Sequence, residues 1–114
     1  MQIQSFNESL EFNDTRVVTK VILETSFTKE IRILLKRGQI MKEHQTPFSI
    51  LVHVLDGYID FGVEGVIHHL KAGAIITLEG NVKHDLTAKE DSIVRLTLSK
   101  FDKVERVEQV VKNS

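Results

Sequence analysis

The chain has 114 residues, room for one domain with a single core. Its 41 Val, Ile, Leu and Phe residues can fill that core, which excludes a disordered segment, and 15 basic against 16 acidic residues argue against a surface dedicated to nucleic acid or anionic membrane. Cysteine is absent, so there is neither a disulfide framework nor a thiolate ligand or nucleophile. No apolar run approaches the roughly 20 residues that span a bilayer. The opening MQIQSFNESLEFND lacks the basic start and apolar centre of a signal peptide, so a cytoplasmic protein is expected. Three Ala beside 32 Val, Ile and Thr disfavour a helical bundle.

In chain order, the apolar pattern predicts short strands punctuated by turns. Arg16–Glu24 and Lys29–Lys36 come first, the second alternating Ile31, Ile33 and Leu35 against Arg32 and Lys36. Arg37–Gly38 breaks the chain before Gln39–Glu43 and a polar corner ending at Pro47. Phe48–Leu55 is continuously apolar, as a strand covered on both faces would be. Asp56–Gly57 turns into a hairpin over Tyr58–Val63 and Val66–Leu70, with Glu64–Gly65 at its tip. Ala74–Leu78, Lys83–Ala88 and Ser92–Lys100 complete the series. Strands at this spacing predict an antiparallel sandwich or barrel, one domain over residues 1–100 that includes the N-terminal strands. Residues 101–114 form a tail in which Val104, Val107, Val110 and Val111 recur at helical spacing, so a short helix is expected there.

The informative spacing runs from Gly38 to His84. His44 stands six residues after Gly38, Gly57 thirteen after His44, and His84 eleven after Gly73; fifteen residues separate Gly57 from Gly73. This resembles the two motifs of the cupin superfamily, G(X)5HXH(X)3,4E(X)6G and G(X)5PXG(X)2H(X)3N, over roughly Lys29 to Lys100. The resemblance implies an all-β, double-stranded β-helix (jelly-roll) barrel, in the manner of small stand-alone bacterial cupins that form dimers. It also implies a metal site built from histidines and a glutamate, of which His44 and His84 are present. The other positions have changed. Thr46 stands at the second histidine, Ile50 at the glutamate, and Glu79, Asn81 and Ala88 where proline, glycine and asparagine are usual.

Half of that ligand set is gone, which has a chemical consequence. A closed zinc site takes four ligands, and a non-haem iron site two histidines with a carboxylate. Two imidazoles alone hold a divalent ion weakly. The expected metal ligands are therefore His44 and His84 as an incomplete set, with no cofactor expected or at most iron, manganese, nickel or zinc. If His44, Thr46 and Ile50 face inward, alternation sends Val52 and Val54 inward too. The expected pocket is then His44, Thr46, Ile50, Val52, Val54 and His84, suited to a small, largely apolar ligand with one polar group.

Other constellations have bland explanations. Ser49 and His53 would lie about 13 Å apart on a strand, too far for a nucleophile and its base. His53 shares a face with Leu51 and Leu55 and reads as a packed or interface residue. His68 and His69 point to opposite faces and cannot share an ion. Glu11, Asp14, Glu24 and Glu30 read as solvated surface. The favoured expectation is a non-catalytic, small-molecule-binding cupin that forms a homodimer, without nucleic-acid or membrane partners. The alternatives are a metal-dependent enzyme of dioxygenase or isomerase type, or a structural protein without ligand.

Overall fold

A computed structural model describes residues 1–100. Nine strands follow in order: β1 Val18–Glu24, β2 Thr28–Leu35, β3 Ile40–His44, β4 Ile50–Asp56, β5 Tyr58–Val63, β6 Val66–Lys71, β7 Ile75–Leu78, β8 His84–Ala88 and β9 Ser92–Ser99. They form two antiparallel sheets, β1-β2-β9-β4-β7 and β3-β8-β5-β6. No helix among the described residues is long and apolar enough to cross a membrane. The helix expected in the valine-bearing tail lies outside the described residues.

The core is the interleaving of the two inner faces. Ile33 and Leu35 of β2, Val52 and Val54 of β4 and Val94 of β9 meet Ile59 and Phe61 of β5 and Leu86 and Ala88 of β8. Each set falls at alternate positions, the spacing that sends side chains to one face of a strand. Turn chemistry sets the strand ends. At Gly57 the backbone has a φ of +93°, and a Cβ there would lie 2.4 Å from the Asp91 carbonyl oxygen and 2.2 Å from Ser92 Oγ. That hydroxyl accepts from Tyr58 N–H at 3.0 Å and donates to the Glu90 carbonyl at 2.8 Å, tying two turns together.

The outer face of the five-stranded sheet differs from the sequence reading. Glu30, expected among solvated carboxylates, is only 6 % exposed and accepts from Arg95 Nε and Thr97 Oγ1, both at 2.7 Å. The cause is the segment before β1, which carried no strand signal but lies across this face. Arg32 donates to its carbonyls, and Arg95 sits over the Phe6 ring at 5.7 Å. Cover comes from the chain itself near β2 and β9. On β4, Leu51, His53 and Leu55 are only half-buried, and Ile75 on the edge strand β7 is 57 % exposed.

Candidate functional site

One end of the sandwich gathers the end of β3 and the start of β8. There His44 and His84 are register partners, placed by a bulge. Met41 pairs with Leu86, but the next pair is His44 with His84, so Lys42 and Glu43 together oppose Asp85. Met41 packs against the core, and unbroken alternation would bring Glu43 inward next. The extra residue brings His44 inward instead.

The two imidazoles meet edge to face, with centroids 4.3 Å apart and planes at 61°. Each ring is fixed by the carbonyl two residues before it. His44 Nδ1 donates to Lys42 at 2.8 Å, and His84 Nδ1 donates to Val82 at 2.9 Å. A carbonyl only accepts, so Nδ1 carries the hydrogen and Nε2 keeps its lone pair in the neutral ring. His84 is 4 % exposed and lies parallel to Phe61, with centroids 5.6 Å apart. Burial holds its pKa below the usual histidine range; His44 pushes the same way, while the Val82 hydrogen bond and Asp85 oppose it. The buried member of the pair is thus biased towards a neutral hydrogen-bond acceptor.

The remaining residues of the expected pocket take different positions. The Thr46 hydroxyl is engaged in its own turn, accepting from Phe48 N–H at 2.9 Å and donating to the Phe48 carbonyl at 3.3 Å. Ile50 lies at the start of β4, paired with Leu78 and Leu98. Val52 and Val54 lie deeper in the packed core, and Val54 is 0 % exposed, so no water-sized void touches it. Phe61 was not singled out from sequence. Its signal was the alternation of Ile59 and Phe61 along a strand whose β8 partner begins with His84.

At the same end, a cleft of about 240 Å3 is lined by Glu24, Lys29, Phe48, Leu98, Ser99 and Lys100. The loops that bound this end support one another. Asn81 N–H donates to the Thr46 carbonyl at 2.6 Å, and a Cβ on Gly80 would lie 2.4 Å from the Pro47 carbonyl oxygen.

No protein-family model matches the chain, and no curated protein does. Solved structures do. An RmlC-like cupin from Desulfovibrio desulfuricans superposes with a TM-score of 0.80 at 24% identity, covering 87% of this chain and 96% of that one. The chain folds as a cupin. An RmlC-like cupin from Shewanella frigidimarina matches with a TM-score of 0.74 at 22% identity over 94% of this chain and 96% of that one. A Klebsiella pneumoniae protein with a double-stranded β-helix domain matches at 0.75 and 20% identity, over 87% and 89% of the two chains.

The cupin frame explains one departure from the motif. Asn81, where glycine is usual, has a φ of +67°, and asparagine is among the few residues that adopt this region readily. The turn is kept with a different residue. Two of the four metal positions, those of Thr46 and Ile50, are not kept. Ile50 is a core side chain, and Glu79 Oε2 accepts from Ser49 Oγ at 3.3 Å. Among the described residues no cluster of three or more His, Asp or Glu is arranged to hold an ion. Two imidazole nitrogens fall short of the three protein ligands that a catalytic metal commonly takes, so the described residues do not by themselves fit a resident metal ion.

Proposed function

We propose that this cupin binds a small, largely apolar molecule at the histidine end of the barrel, without a resident metal. The paired geometry of His44 and His84 carries the reading. Two rings held by backbone carbonyls, with Nε2 unprotonated in the neutral form, make a preorganised acceptor pair for a ligand hydroxyl or amine. Phe48 and Leu98 of the neighbouring cleft offer apolar surface for the rest of the ligand. The interior below is filled, so the ligand sits at the mouth and does not penetrate between Val52 and Val54.

A thermal-shift screen of small alcohols, phenols and amines on the intact chain tests this. Compounds with an apolar body and one donor are expected to raise the melting temperature by mass action. Their effect should disappear in His44→Phe, which removes an acceptor at a partly exposed ring. A screen without stabilising compounds, or hits that ignore this substitution, would overturn the proposal. Addition of zinc, manganese, nickel or iron alone forms the control, since stoichiometric tight uptake would favour the metal-dependent alternative.

A further inference from the structure

The outer face of the five-stranded sheet carries a row of basic side chains. Lys20 pairs with Arg32 across β1 and β2, Arg32 with Arg95 across β2 and β9, and Arg95 with His53 across β9 and β4. Like charges directly opposed across strands destabilise a sheet unless something answers them. Glu30 is bonded to Arg95 and Thr97. Arg32 has no ion pair among the described residues, although its side chain is buried and the residue only 3 % exposed. Its Nη1 donates to the carbonyls of Phe6 at 3.2 Å and Glu8 at 2.6 Å, and its Nη2 to that of Ser9 at 3.2 Å. Its Nε is buried without any partner. Beside it opens a cleft of about 300 Å3 lined by Ser9, Glu11, Val18, Lys20 and Arg32.

We infer that this cleft is a binding site for a small oxyanion, the phosphate or carboxylate group of a ligand, held between Lys20 and Arg32. Carbonyl oxygens satisfy N–H groups but do not neutralise a guanidinium, and a buried charge left without a counter-charge is costly. An oxyanion in the cleft supplies the missing charge, and the Lys20 side chain that lines the same cleft can donate to it. Glu11 at the rim repels the ligand and keeps affinity modest. This site is on the outside of the sandwich and is independent of the histidine end.

The test is titration of the full chain with inorganic phosphate and, separately, acetate, at constant ionic strength set with chloride, followed by backbone amide NMR. Saturable shifts are expected at Phe6–Glu11 and Lys20, and the anion that saturates identifies the class of ligand. Lys20→Gln, at an exposed strand position that leaves the fold alone, should weaken binding about fivefold. Glu11→Gln should tighten it. Saturation by neither anion, or unchanged affinity in Lys20→Gln, overturns the inference. Arg32 itself is left unsubstituted because it anchors the covering segment.

Discussion

Phe61 and His84 lie almost parallel across β5 and β8, their planes only 11° apart. The aromatic ring covers one face of the imidazole and takes away the water that would stabilise a proton on it. The charged form of His84 is therefore disfavoured in the folded chain.

Stability should consequently fall on acidification. An unfolded histidine titrates near pH 6.5, as an order of magnitude. Below that value the unfolded chain takes up a proton that folded His84 resists, so unfolding gains free energy as pH drops towards the lowered folded value. Above it both states are neutral and the effect vanishes. For a single proton the slope is at most about 1.4 kcal/mol per pH unit. Urea melts at pH 7.5 and 5.5 should show a larger loss for the parent than for His84→Gln. Equal losses would show that His84 ionises as easily folded as unfolded.

Two glycines with similar backbone conformations should respond differently to alanine. Gly38 and Gly57 have φ of +88° and +93°, but a Cβ on Gly38 meets nothing within 4 Å, whereas one on Gly57 would overlap the Asp91–Ser92 backbone. Gly38→Ala should cost about 1 kcal/mol, from backbone strain alone. Gly57→Ala should cost about 3 kcal/mol or more, because the turn must also move and the Ser92 bonds with it. Denaturant midpoints of the two variants check the ordering.

The exposed Ile75 and half-buried Leu51, His53 and Leu55 lie on the part of the outer face towards the edge strand β7. Pairing with a second copy would cover them and the open edge. Light scattering at micromolar concentration is expected to give about twice the 13.0 kDa chain mass. Ile75→Lys should return the mass to that of one chain, and a parent that is already monomeric would refute self-association.

The order of strands was legible because punctuation in this chain is strong. Tyr58–Val63 is bounded by Gly57 and by Glu64–Gly65, and both glycines together with Glu64 have positive φ. The inward aim of His44 was legible only through the motif spacing. Simple alternation from Met41 would have brought Glu43 inward, and a bulge leaves no mark in the hydrophobic pattern. The burial of Glu30 and Arg32 was illegible for a different reason. It depends on a segment without periodicity whose own backbone carbonyls do the covering, and carbonyls are the same in every sequence. Thr46 was placed at a ligand position, yet the physics of Thr before a proline-bearing corner is local: its hydroxyl answers the nearest free amide.

The bulge in β3 also means that the strand carries one residue of spare length. A chain shortened by one between Met41 and His44 would still bring His44 opposite His84, on a regular ladder. What it would give up is the Lys42 carbonyl, which now points at the His44 ring and would return to the ladder. The added length therefore governs which nitrogen of His44 holds the hydrogen, while the direction of the ring survives without it. A deletion here would separate those two properties, which substitution of the histidine itself cannot do.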